Sequence, residues 1–437
     1  MFKTLRNAFK IEEIRKKLIF TFLMLVVVRF GSQLPIPGVN RDYFAQWFAA
    51  QTGDAFNFFD AFTGGSFTSM SLFALGITPY ITSSIIMQLL TIAIPKLEEM
   101  QRDGEDGRKK IASITRYVTI ALALIQSTAM AVGFGRQGYL VKFDALNIIC
   151  AITTLTAGSA FLMWVGERIT EKGIGNGISI VLVINIISRL PEDLHNLFQQ
   201  FVVGKAPATA ILAAVIIFAV IVAMVVLVII LNDGVRKIPV QYANKVQGRK
   251  MVGGQTSNIP LKVNTAGVIS VIFAQSLLQL PSIISAFAGY SGTGVWSEIL
   301  KYLNFSLWCR PSQIKYTVGL LVYIVLIVFF AYFYTSITFN PIEIAENMKK
   351  QGGFIPGIRP GRPTSDYLNK VLNYIVFIGA VGLTIICVVP YFFNGVFGAS
   401  VSFSGTSLII IVSVVLETIK QIESQMLVRN YKGFLND

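Results

Sequence analysis

The chain has 437 residues, 54% hydrophobic and only 14% charged, with 37 Lys/Arg against 23 Asp/Glu. That balance excludes a disordered chain and argues against a water-soluble fold, so the surplus of 14 positive charges must sit outside the apolar bulk. Three scattered cysteines (Cys150, Cys309, Cys387) and a single histidine, His195, predict neither a disulfide framework nor a structural metal.

The start, "MFKTLRNAFKIEEIRKK", is a basic amphipathic stretch with no small-residue cleavage site. It leads into the first of ten apolar runs: 18–34, 72–94, 117–134, 146–166, 177–190, 208–231, 264–288, 316–339, 371–391 and 406–428. Ile211–Leu231 has 21 residues and Tyr316–Phe339 has 24, both without a charge. A helix rises about 1.5 Å per residue, so roughly 20 residues cross a hydrocarbon core of about 30 Å. The runs lack the alternation of a β-barrel strand. The expected fold class is an all-α polytopic membrane protein with ten transmembrane helices.

Loop charge sets the orientation. With the N-terminus inside, 28 of the 37 Lys/Arg fall on the cytoplasmic side, eight fall outside, and Arg29 lies within the first run. This predicts both termini in the cytoplasm. The basic surface suits anionic lipid headgroups, and leaves room for an acidic or nucleic-acid partner. Ten spans divide as five plus five, and an odd number per half inverts one half against the other. The expected organisation is a basic segment at 1–17, a first half at 18–190, an outer connection at 191–207, a second half at 208–428 and a tail at 429–437.

Three long cytoplasmic loops follow from this order. Residues 95–116 mix charges and read as partly helical. Residues 232–263 alternate at Ile238, Val240 and Tyr242 and carry Gly248, which predicts a β-hairpin standing off the membrane. Residues 340–370 contain "GGFIPGIRPGRP", whose prolines and glycines hold Arg359 out on a defined loop.

Chemistry is scarce. No phosphate-binding loop, H-E-x-x-H or G-x-S-x-G occurs. The spans are nearly free of ionisable groups, which argues against an ion-coupled transporter of a small solute. Arg29 reads as a snorkelling or bundle-buried arginine. Neutral polar residues in the spans are Gln88, Gln126, Asn185, Asn264 and Gln275. Such groups bond across helices or line a wet seam. The segment "FFDAFTGGSFTSMSLFALGITPY", 58–80, is too polar to span and too apolar for an ordinary loop.

"LPIPGV", "FTGGSF", "LFALGITPYITSSIIMQLL", "GERITEKGIGNGISI", "QGRK", "IPLKVNTAGVI", "FNPIEIAENMKKQGGFIPGIRPG" and "GTSLIIIV" carry a resemblance to a known family. From about residue 10 to 432, the chain resembles the SecY family, channel subunits of the bacterial Sec protein translocase. The resemblance implies two inverted five-helix halves joined as a clamshell around an hourglass pore. A plug maps to about 57–72, with Phe62, Thr63, Gly64, Gly65, Ser66, Phe67 and Ser69 at its centre and Gly64-Gly65 as its break. An aliphatic constriction maps to Ile77, Ile81, Ile178, Leu182, Ile272 and Ile410. Spacing supports part of this ring, because residues i and i+4 share a helix face. On spacing alone these aliphatics read equally as packing or lipid-facing residues.

The family's lateral gate lies between the second, third, seventh and eighth spans, where Ser83, Gln126 and Asn264 are the candidates. Arg249, Lys250 and Arg359 map to the docking surface for a motor ATPase or ribosome; on sequence alone Arg359 also reads as ordinary positive-inside charge. The implied partners are SecE, SecG, the SecA ATPase, the translating ribosome, client signal sequences and membrane lipids. No cofactor, enzyme activity or small-molecule substrate is implied, and the location is the bacterial cell membrane. Besides the solute transporter, the rival is a membrane receptor that recruits ribosomes without conducting.

Overall fold

The computed structural model describes residues 6, 8–41, 43–44, 60, 62–136, 138, 140, 142–203, 207–242, 245–247, 250–252, 256–287, 294–397 and 405–433. A helix stands at each of the ten apolar runs. The first half holds α1 (Glu12–Gly31), α2 (Thr78–Ala93), α3 (Pro95–Arg102), α4 (Gly104–Arg136), α5 (Ala145–Lys172) and α6 (Gly177–Phe201). The second holds α7 (Pro207–Asp233), α8 (Ile269–Phe287), α9 (Val295–Leu303), α10 (Val318–Thr338), α11 (Pro341–Lys350), α12 (Arg362–Phe397) and α13 (Gly405–Gly433). Among the described residues, six helices are long and apolar enough to cross a membrane by themselves. The α2–α3 pair, bent by 107°, is a seventh candidate. α8 is apolar but shorter, over Ile269–Ser282.

Packing runs mainly within each group. α4 packs on α2 and α5, and α5 packs on α1 and α6. In the second half α10 packs on α8 and α12, and α13 on α7 and α12. Among the described residues, the larger contacts that cross between the groups are α13 on α6, α7 on α6, and α8 on α4. α7 has little buried surface and is apolar all round, as a lipid-facing helix must be.

Two boundaries differ from the sequence reading. The second span was expected from residue 72, but its helix starts at Thr78. Residues 64–77 are a chain of turns, with φ of 65° at Gly64, 83° at Gly65, 41° at Met70 and 58° at Gly76. Left-handed residues at this frequency stop any helix from propagating. The remaining helix has 16 residues, about 24 Å. The fifth span also continues past residue 190, through Pro191, to Phe201, so most of the expected outer connection is helical.

The expected hairpin is present and has an extra strand. β1 (Val235–Tyr242) pairs antiparallel with β4 (Thr256–Lys262), register Ile238↔Ile259, and between them in the chain the short strands β2 (Lys245–Gln247) and β3 (Lys250–Val252) pair with each other as a separate two-stranded sheet. Gly248, expected in the turn, lies outside the described residues. β5 (Gly353–Phe354) joins the other edge of β1 through Gln241↔Phe354 and Tyr242↔Gly353. Two loops separated by 76 residues in the chain (263 to 340) thus form one body. Its core is Ile238, Val240, Leu261, Met348, Ile355, Leu368 and Ile375. Cys150, Cys309 and Cys387 are unpaired.

Candidate functional site: an aliphatic cluster and a tethered segment

Six aliphatic residues from four places in the chain meet in one cluster. Ile77, Leu182 and Ile410 are buried, and Ile81, Ile178 and Ile272 are half-buried against them. Ile77 caps α2 and Ile81 lies one turn on; Ile178 and Leu182 hold the same spacing on α6. Ile272 comes from α8 and Ile410 from α13, so both halves contribute. Asn176 fixes the start of α6 by accepting from the N–H groups of Ile178 and Ser179. A cap of this kind stabilises a helix by about 1 kcal/mol and sets the rotation of the two residues that follow. The side chains that meet here are aliphatic and aromatic, with Asn185 bonded to the Phe62 carbonyl at the edge.

Phe62, from the segment expected to be the plug, packs in the same cluster. The turns that follow it are tied down at several points. Asn185 of α6 donates from Nδ2 to Phe62 O at 3.3 Å. Arg29 of α1 donates from Nη1 to Gly64 O at 3.3 Å, and Ser188 of α6 reaches the same carbonyl at 3.5 Å. Asp60 forms an ion pair with Arg189 of α6, and its other oxygen accepts the Thr68 N–H at 2.8 Å. Ser71 bonds back to Ser66 O at 3.1 Å, and Arg41 donates from Nε to Ser69 O at 3.0 Å.

Glycine makes this docking possible. A Cβ at Gly64 would sit 2.7 Å from Asn185 O and 2.8 Å from Ser188 Oγ. At Gly158 on α5 it would sit 2.0 Å from Leu72 O, so only glycine lets the turns approach that helix. Thr63, Ser66 and Phe67 are buried, and Ser69 is half-buried. Residues 57–59 and 61 of the expected plug lie outside the described residues.

The three gate candidates are not brought together. Ser83 donates to Thr115 O at 2.9 Å, from α2 to α4, inside the first half. Asn264 donates to Asn232 Oδ1 at 2.8 Å, and Asn232 donates to Ser413 Oγ at 2.7 Å, all inside the second half. Gln126 is half-buried on α4. Gln275 also bonds across helices, from Nε2 to Tyr391 Oη at 2.9 Å. The contact between halves on this side is α8 on α4.

Arg359 is exposed, and its carbonyl accepts the buried Thr364 hydroxyl at 2.8 Å, which fixes the turn. Lys250 opens β3, paired with Gln247; Arg249 lies outside the described residues. Among the described residues no cluster of His, Cys, Asp or Glu could hold a metal.

The sequence reading missed Asp60 and Arg189. Arg189 counted as an outer-side charge, yet its side chain is only 19% exposed. Asp60 is 1% exposed and sits in the segment that looked merely half-polar. An acid before Gly-Gly and an arginine at the end of a short span give no pairing signal across 129 residues.

A SecY family model matches residues 71–419. The chain is 42% identical over 452 aligned residues to the protein translocase subunit SecY of Halalkalibacterium halodurans, covering all of both chains. It is 44% identical, again over both whole chains, to the protein of the same name from Streptomyces scabiei. Among solved structures it is similar to a protein-conducting channel, with TM-score 0.61 and 17% identity over 94% of this chain and 93% of that one. It is similar in fold to Sec61 from a canine ribosome–channel complex, with TM-score 0.59 and 17% identity over the same shares. Full-length identity above 40% to translocase subunits and a channel fold from end to end leave one assignment: the chain belongs to the SecY family.

Proposed function

We propose that this chain is the central subunit of a protein-conducting channel. It passes unfolded polypeptides across the membrane and releases apolar segments sideways into lipid. The observation that carries this reading is the meeting of six aliphatic side chains from both halves with a separately tethered segment. Ile77, Ile81, Ile178, Leu182, Ile272 and Ile410 form the constriction, and residues 60–71 are the plug. The buried carboxylate Asp60 is neutralised by Arg189, so it offers no free site for a coupling ion.

The energy comes from a partner, because the sequence holds no phosphate-binding loop. The partner set is the SecA ATPase or a translating ribosome, with SecE holding the two halves and SecG beside them. One structural neighbour is a channel in a ribosome complex, which supports the second of these. Both termini lie on the cytoplasmic side of a bacterial cell membrane, and the two cytoplasmic loops 232–263 and 340–370, which carry Arg249, Lys250 and Arg359, are the docking face. Gate opening separates α2 and α4 from α8 and α10, with Ser83, Gln126 and Asn264 near the seam.

A secretory chain stalled in transit is expected to crosslink to photoreactive groups at Ile81 and Ile272, and not to lipid-facing Phe218. Absence of both crosslinks in an engaged complex would show that the cluster is not the conduit. Arg359→Glu is expected to cut ATP-driven export by about ten-fold or more, because reversing one contact charge costs at least 1–2 kcal/mol. Membrane insertion and partner assembly should stay unchanged. Normal export in that variant removes Arg359 from the docking face.

A further inference from the structure

At the end of the bundle opposite the sheet, α9 follows α8 and lies against the 3-10 turns that lead into α10. Its sequence, VWSEILKYL, sorts cleanly by angle. Val295, Trp296 and Ile299 share one face, and Glu298 and Lys301 share the other. No residue of α9 is buried. Val295 is 79% exposed, and Ile314 in the neighbouring turn is 71% exposed.

These apolar residues are not an isolated patch. Leu277, Leu280 and Ile284 are exposed on α8, and Val318, Leu321, Val322 and Val325 on α10. The apolar face of α9 continues the surface that these two helices present to lipid. The polar face is held separately. Glu298 takes a hydrogen bond from Lys301 at 3.0 Å, stands 3.7 Å from Lys315, and accepts from Tyr316 Oη at 3.3 Å. Trp296 donates its indole N–H to Ser285 Oγ at 2.6 Å, which ties α9 to the last turns of α8.

We propose that α9 is an interfacial helix, with Val295, Trp296 and Ile299 inserted among the lipid headgroups and acyl-chain ends at that face of the membrane. A short helix with a strong apolar face, a charged opposite face and a tryptophan at its edge binds at this depth. Because the Trp296–Ser285 bond fixes α9 to α8, the helix sets the depth of α8 at that end. Sideways motion of α8 then drags α9 along the interface rather than tilting it out.

The test uses the full chain reconstituted in phosphatidylcholine vesicles. Emission due to Trp296 is obtained as the difference between the parent and Trp296→Phe. Lipids carrying a nitroxide near the headgroup should quench this emission roughly twofold more than lipids carrying it near the chain end, as expected of an interfacial ring. Aqueous iodide should quench it only weakly. Strong iodide quenching, or indifference to nitroxide depth, would overturn the proposal. Shielding from both quenchers would also overturn it, by showing that a second protein surface or another copy covers the face. If Trp296→Phe disturbs folding, Ile314→Trp in the parent adds a second reporter with the same expected pattern.

Discussion

Replacing Arg189 by alanine is expected to make the resting channel leak ions. Among the described residues, Arg189 is the group in an ion pair with Asp60, and Asp60 is almost wholly buried. Removing one partner of a buried pair strands the other charge at a cost of roughly 3–5 kcal/mol. That cost falls on the docked state of segment 60–71, because once undocked the carboxylate reaches water. A difference of this size changes a two-state ratio by roughly two to nearly four orders of magnitude. The hydrogen bonds from Asn185, Ser188, Arg29 and Arg41 remain in the variant, so the expected result is a larger undocked fraction than in the parent rather than complete release. Resting conductance of the purified channel in planar bilayers measures it. Asp60→Leu together with Arg189→Met should recover most of the seal, because an apolar pair of similar volume carries no stranded charge. A tight Arg189→Ala channel would refute the latch, and a double variant as leaky as the single one would show that charge is not the cause.

The sequence made some of this legible and hid the rest for physical reasons. Long lipid-facing helices such as α7 announce themselves, because every residue meets lipid and the whole run must be apolar. The β1–β4 hairpin was legible through alternation at Ile238, Val240 and Tyr242, which sets one face toward a core. β5 was not, because two residues, Gly353 and Phe354, carry no period. The six ring positions came from motif resemblance, since an aliphatic residue facing a partner helix and one facing lipid look alike in sequence. The turns at 72–77 were read as the start of the second span because their composition is apolar, while their conformation is set by the preceding turns and by positive φ at Met70 and Gly76. The ties on that segment are mostly side chains reaching main-chain carbonyls of Phe62 and Gly64, and a carbonyl leaves no mark in a sequence. Asn264 was assigned to a seam, and the hydrogen bond it makes runs to Asn232 of the same half. A lone polar residue on a span tells that it has a partner, not on which side.

Leu368→Ala is expected to separate docking from sealing. Leu368 is fully buried in the small core that joins β1 and β4 to the 340–370 loop, packed among Ile238, Val240, Leu261 and Ile355. Truncating a buried leucine costs about 2–5 kcal/mol, and the cost rises when neighbours cannot collapse into the gap. This core is small and β5 contributes only two paired residues, so the loss is a large fraction of what holds the two loops together. Segments 232–263 and 350–361 should then be cut by trypsin several-fold faster, as local unfolding scales with the population of the open form. ATP-driven export should also fall, because in the opened fraction Arg359 is no longer presented on a fixed turn. Resting conductance should remain that of the parent, since none of these residues belongs to the aliphatic cluster or touches segment 60–71. Faster trypsin cleavage with normal export would show that the sheet is not the motor's docking face. A leak appearing in Leu368→Ala would show instead that the sheet supports the closed constriction, and that the two halves of the proposed mechanism are coupled through α12 and α13.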